Sequence, residues 1–223
     1  MGQAMQMGVE TINKDIVINT LDFCVANQSA DGSFIEIDDI TIPHKSPEVG
    51  ITCSVLAAIL KNRDFIEKLY TDEIKKAFKF VESQTGYDEV ATSMCAYASA
   101  LAGRNSTNHL LSQFLNSHGF NETVIKNSKV AHGPLDLSNI LSASYVILAY
   151  EASNDIEKAK PFIRLINSHV EFSDPTLPAI TIEALAAVAE KFPNVDTDIN
   201  VEFGFFGGER RVNVNNENAQ NSQ

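Results

Sequence analysis

Apolar residues recur along most of this chain at the spacing of a helix face. Ile51, Val55 and Ile59 fall four apart, with Leu56 and Leu60 widening the stripe, and Ile182, Leu185, Ala189 and Phe192 repeat the pattern near the other end. Residues three and four apart share one side of an α-helix, so each stripe calls for a neighbour to bury it. The stripes and their punctuation predict eight helices: Ile12–Asn27, Gly50–Arg63, Asp72–Thr85, Val90–Ala102, Thr107–Ser117, Leu137–Ala152, Ile156–His169 and Ala179–Lys191. Thr71-Asp72 reads as the cap of the third, with Glu73 in its first turn, and Gly103 and Gly119 read as stops.

Two kinds of helix alternate. One is small, apolar and nearly free of charge, as in "ITCSVLAAIL", "VATSMCAYASALAG", "LSNILSASYVILAY" and "PAITIEALAAVAEKF". The other carries one apolar stripe and many charges, as in "TDEIKKAFKFVESQ", "STNHLLSQFLNSH" and "DIEKAKPFIRLINSH". Aligned on Thr52, Cys95, Ala143 and Thr181, the apolar set recurs at 43, 48 and 38 residues, a degenerate repeat of one helical hairpin. A helix apolar all round belongs inside and a striped one outside. Two layers are therefore expected, as a solenoid or as an α/α toroid whose inner helices line the axis. After Phe192 the pattern changes to alternation, with Ile199, Val201 and Phe203, then Val212 and Val214, around a Gly207-Gly208 turn. That reads as a β-hairpin, too small to be a domain.

Composition narrows the function classes. The 223 residues carry 17 basic and 29 acidic side chains, a net charge of −12, and the only adjacent basic pairs are Lys75-Lys76 and Arg210-Arg211. No nucleic-acid partner is expected of such a surface. No apolar run reaches about 18 residues, so no membrane span is expected. The opening "MGQAMQMGVETINKD" has neither a charged start nor an apolar block, so no signal peptide is expected in it, and Gln6 argues against myristoylation. Cys24, Cys53 and Cys95 each sit within an apolar helical pattern, an odd set without short spacing, and read as buried small hydrophobes rather than as a zinc site or disulfide scaffold. Three sequons, at Asn27, Asn105 and Asn121, fall at helix ends or in loops and are candidate N-glycosylation sites.

Among candidate catalytic residues His44 stands out. It lies between Pro43 and Pro47, which restrict the backbone, and a histidine there has the chemistry of a general base or nucleophile. It needs a partner, and Asp38, Asp39 and Glu48 are near in sequence without any nucleophile motif. His109, His118, His132 and His169 show no ligand spacing, and no phosphate loop, GxSxG elbow or dinucleotide fingerprint occurs.

The string "LDFCVANQSADGSFIE…IPHK…ITCSVLAAIL" resembles the thioester domain of the complement and alpha-macroglobulin family, particularly its insect-type thioester-containing proteins. The match runs through Leu21, Phe23, Gln28, Asp31–Phe34, Glu36, His44-Lys45 and Thr52–Leu60, with "LSASYVILAY" and "VNVNNENAQ" following in the family's order. The resemblance implies an all-α fold, an incomplete α/α toroid of about eight helices in hairpin pairs, followed by a short β-hairpin. It divides the chain into a partial thioester-type domain over 1–193 and, over 194–223, a linker with the first strands of a truncated CUB-like β-domain. It places His44 where the family's histidine attacks an internal Cys–Gln thioester in "GCGEQ". That motif occurs nowhere here, and "SPEVG" replaces the family's "MQGG" after the histidine, so the implied chain begins beyond the thioester and His44 has no electrophile.

The resemblance thus implies a secreted, non-enzymatic protein without cofactor or metal. It would recognise protein partners, proteases or a pathogen surface, in innate immunity or protease inhibition, and self-associate through exposed inner helices. Two other readings stand beside it: an isoprenoid-type toroid enzyme (prenyltransferase or terpene-cyclase-like) and a helical-repeat scaffold. Methylamine labelling is the direct check on the missing thioester. The intact chain is expected to incorporate none, and incorporation would show an electrophilic acyl group after all.

Overall fold

A computed structural model of the chain describes residues 14–35, 46–63, 70–117, 137–169, 179–189, 191, 199–205 and 208–214. The chain divides into two compact units, Met1–Leu185 and Ala186–Gln223. The described helices are α1 (Lys14–Ala26), α2 (Pro47–Asn62), α3 (Thr71–Ser83), α4 (Glu89–Leu101), α5 (Ser106–Ser117), α6 (Leu137–Ala152), α7 (Ile156–His169) and α8 (Ala179–Ala189). Among the described residues the regular structure of the first unit is all helix, apart from one isolated bridge between Gln28 and Phe34. In the second unit β1 (Ile199–Phe205) pairs antiparallel with β2 (Gly208–Val214), Ile199 opposite Val214 and Phe205 opposite Gly208.

Packing in the first unit follows the two kinds of helix. The charge-poor α4 lies between α2 and α6, its two most extensive neighbours. Every residue from Val90 to Ala100 is buried, many of them Ala, Ser or Thr, so the flanking helices come close without a gap. Three of the hydroxyls this buries are satisfied locally: Thr92 donates to Asp88 O at 2.7 Å, Ser93 to Val90 O at 2.8 Å and Ser144 to Ile140 O at 2.7 Å, whereas Ser142 Oγ on α6 has no partner among the described residues. The charged helices cover this row. α3 packs on α2, α5 on α4 and α7 on α6, each through its stripe. Phe114 of α5 and Phe162 of α7, both almost wholly buried, meet at 6.2 Å between ring centroids and tie the covering helices together. The last charge-poor helix, α8, touches two others: Thr181 hydrogen-bonds Ser144 of α6 at 2.9 Å, and Glu183 pairs with Lys61 of α2.

Helix ends show where local signals were overruled. Gly103 stops α4 as expected, with φ +64° and an Arg104 N–H donating back to Ser99 O at 2.9 Å, and Asn154 (φ +57°) closes α6 in the same manner. Gly119 lies outside the described residues. The expected Thr71-Asp72 cap is not formed. Thr71 is already helical and the cap position is Tyr70, at φ +43° and without a side-chain cap bond. The reason is tertiary: the Tyr70 ring is buried with Val17, Leu21 and Ile59, and its hydroxyl donates to Asp22 Oδ1 at 2.7 Å. Burial first, then this bond, pushes the phenol up to about 12. Pro47, read as part of an irregular loop, instead opens α2 three residues before Gly50, because its fixed φ suits a first helical position that needs no N–H.

The cysteine reading is corrected outright. Cys53 of α2 and Cys95 of α4, 42 residues apart, are joined by a disulfide, and Cys24 is a free thiol. Equivalent positions on two adjacent inner helices face each other, a proximity the linear spacing does not reveal. Removing the bridge (Cys53→Ala with Cys95→Ala) is expected to lower stability by about 4 kcal/mol, from the chain entropy of a loop this long. Urea unfolding of the chain with its disulfide formed checks it, alongside thiol labelling of the unreduced, denatured protein, which is expected to reach Cys24 alone.

Candidate functional site

Of the residues that carry the resemblance, Gln28 and Asp31–Phe34 meet in one hydrogen-bonded turn after α1. Ser29 N–H donates to Ser33 O and Gly32 N–H to Ser29 O, each at 2.9 Å, closing the turn on itself. Asp31 Oδ1 accepts from Ser33 N–H at 3.0 Å and from its hydroxyl at 2.8 Å, and these two bonds hold its carboxyl below the usual carboxylate range. Gly32 has φ +99°, and a Cβ there would sit 2.3 Å from the carbonyl oxygen of Lys76 on α3, so only glycine fits. Gln28 clamps the turn from the side, its amide donating to Gly32 O at 3.0 Å and to Glu73 O at 2.9 Å. Phe34 ends the turn with its ring 3% exposed and its N–H donating at 3.0 Å to Thr52 Oγ1, which in turn donates to Glu48 O on α2 at 2.6 Å.

Just beyond the turn lies the stretch that contains His44. Asp38, Asp39, His44 and Lys45 fall outside the described residues, but both flanks are fixed. On one side Phe34 hangs on Thr52 near the start of α2. On the other, Ser46 N–H donates at 3.1 Å to Asp88 Oδ2, while Asp88 Oδ1 accepts from Ala91 N–H at 2.8 Å as the cap of α4. One aspartate thus caps an inner helix and holds the segment's end. Glu48, a candidate orienting carboxylate, is exposed in the first turn of α2. Gln28, Asp31–Phe34 and Thr52 therefore act as positioning residues: apart from the Ser33 hydroxyl, which donates to Asp31, the hydrogen bonds they make involve a backbone group.

A second convergence was not anticipated. Lys61 and Glu183, each about one-quarter exposed, form an ion pair between α2 and α8. Near them the rings of Tyr97 on α4 and Tyr145 on α6 stand 6.2 Å apart. Burial, reinforced by the charge of Glu183, raises the Tyr97 phenol far above its ordinary value. Tyr145 is also raised by burial, a hydrogen bond with Ser54 opposing the shift and Glu183 adding to it. The signal in the chain was faint but physical: a lone charge in an otherwise charge-free helix requires a partner when it is buried.

The remaining candidates separate. Asn27 and Asn105 are exposed, Asn27 donating to Phe23 O at 2.7 Å, whereas Asn121, His118 and His132 lie outside the described residues. His109 sits in the first half of α5, exposed on the wall of a cavity. Among the described residues no three His, Cys, Asp or Glu side chains converge. Compared with known proteins, the chain matches no family model and no curated sequence.

Thr52→Val keeps the shape of the turn's anchor but strips its hydroxyl, leaving the buried Phe34 N–H unpaired. The expected loss is about 1–3 kcal/mol by urea unfolding, against almost none for Thr20→Val on the exposed face of α1. A second outcome concerns pH. The Tyr97 phenol titrates higher folded than unfolded, so its contribution is whole below about pH 10 and is lost as pH rises further. Stability of the chain is expected to fall on that alkaline limb, and Tyr97→Phe to flatten it.

Proposed function

We propose that this chain is a thioester-type α/α toroid domain of the complement and alpha-macroglobulin kind, working outside the cell by non-covalent recognition of protein partners. The observation that carries the reading is the turn from Gln28 to Phe34. The residues that resemble the family are those that close it and bind it to Thr52 and Glu73. The toroid finds support in α8, which meets α6 through Thr181 and α2 through Glu183, so the row of charge-poor helices returns toward its start. The Cys53–Cys95 bridge supports an oxidising compartment, where such bonds persist. Exposed Asn27 and Asn105 are then the sites for glycans.

In this reading the antiparallel pair β1–β2 opens a CUB-like β-domain. His44 keeps the place of the family's acyl-transfer histidine but, with no "GCGEQ" in the chain, catalyses nothing. Ile182, 57% exposed on apolar α8, is where a second copy would pack.

The chain is tested after secretion with its disulfide formed, against intact bacterial cells and a panel of endopeptidases. Retention that denaturing detergent fully reverses, with the chain's mass unchanged, is the expected outcome. No retention on any target, a covalent adduct, or stoichiometric binding of zinc with a prenyl diphosphate would overturn the reading, the last in favour of a toroid enzyme.

A further inference from the structure

The covering row of helices contains a cavity that none of the foregoing uses. It has a volume of about 330 Å³ and lies between the end of α3, the loop from Gln84 to Asp88, Ser99 of α4 and the first half of α5. Its size is at the lower end of small-molecule sites, roughly 300–1,000 Å³. Phe78, Val81 and Leu110, all buried, supply an apolar floor. Tyr87 forms one wall, fixed because its hydroxyl donates to the carbonyl oxygen of Val81. Around this floor stand polar groups: the amides of Gln84 and Gln113, the hydroxyls of Ser99 and Ser106, and the imidazole of His109.

Charge narrows what fits. Among the described residues the one carboxylate on the wall, Glu82, is already paired with Arg104, whose guanidinium lies 4.3 Å from the centre of the Phe78 ring. A cation would have to displace that arginine. An anion would meet a protein of net charge −12 with, among the described residues, no uncommitted base at the wall other than His109. The polar groups left over donate and accept together, as vicinal hydroxyls do. Ser99, only 3% exposed, holds no more than a long 3.4 Å contact from Ser106, so a buried hydroxyl has bonding capacity to spare.

From this combination of apolar floor, amphoteric neutral edge and cancelled charge, we infer that the cavity binds a neutral sugar ring. The ring's C–H face rests on Phe78, Val81 and Leu110, and its hydroxyls meet Gln84, Gln113, His109 and the Ser99–Ser106 pair. The inference rests on the recognition reading in so far as it gives that role a ligand class, a neutral glycan on the target surface.

The test is a titration of the full-length chain followed by amide NMR, since the chain has no Trp to report fluorescence. The probes are methyl α-mannoside, methyl β-galactoside and N-acetylglucosamine, with glucose 6-phosphate as the charged control and soluble yeast mannan as the polymeric source. Saturable shifts at 84–88 and 106–113, at concentrations on the order of millimolar, are expected for at least one neutral sugar. Gln113→Ala and His109→Ala, each on the rim, should weaken binding about tenfold while leaving the rest of the spectrum in place. No saturable shift with any neutral sugar, stronger binding of glucose 6-phosphate, or shifts that neither variant changes would overturn it. Tighter apparent binding of mannan than of the free glycoside assigns the ligand to a surface polymer, and equal binding assigns it to free sugar. If sugars fail while the chain still adheres to cells, the cavity inference falls and the recognition reading stands.

Discussion

The close approach of α2, α4 and α6 is the constraint on which the rest of the helical unit depends. α4 buries every residue from Val90 to Ala100, and most of them are small. Small side chains give each helix little apolar surface of its own, so the favourable energy comes from many dispersion contacts at short range rather than from a few large anchors. The buried Thr92, Ser93 and Ser144 hydroxyls are returned to carbonyls one turn back, whereas Ser142 Oγ, equally buried, has no partner among the described residues. The same proximity makes the Cys53–Cys95 bridge feasible, with the two Cα atoms 4.9 Å apart.

From that row the turn at Phe34 and the end of the segment before α2 are hung. Thr52 lies between Cys53 and the start of α2, so the helix that is cross-linked to α4 also carries the oxygen that anchors the turn at Phe34. Asp88 does the matching service at α4 by capping the helix and holding Ser46. The two flanks of the His44 segment are thus referred to two helices that a covalent bond keeps together. The covering row contributes differently. Its charged helices leave a hollow between α3 and α5 whose one ion pair is internally balanced, and neutral chemistry is what remains there.

Much of the helical unit was legible in the chain. The alternation of charge-poor and striped helices is a direct record of which side each must bury, and Gly103 ended α4 because only a residue at ease with positive φ suits that position. The turn was legible as a motif but not as a mechanism. "DGSF" does not announce that Gly32 will touch Lys76 O, because that contact belongs to a helix more than forty residues away. Thr71 failed as a cap for a related reason: burying Tyr70 in the cluster with Val17 and Leu21 outweighed a single local hydrogen bond. The cysteines misled because pairing depends on which helices become neighbours, and spacing along a chain of repeats does not encode it.

The sequence by itself determined the periodicities, and with them which segments are helical and which helices are inner, because hydrophobic burial acts on patterns local to each segment. It also settled that this polypeptide carries no "GCGEQ", a matter of covalent composition. Only the tertiary structure decided that Cys53 meets Cys95, that Lys61 finds Glu183 across 122 residues, and that Gln28 reaches Glu73. Such pairings arise from side chains brought together by the packing of whole helices. Their energies depend on distance and burial in space, and neither quantity is written in the order of residues.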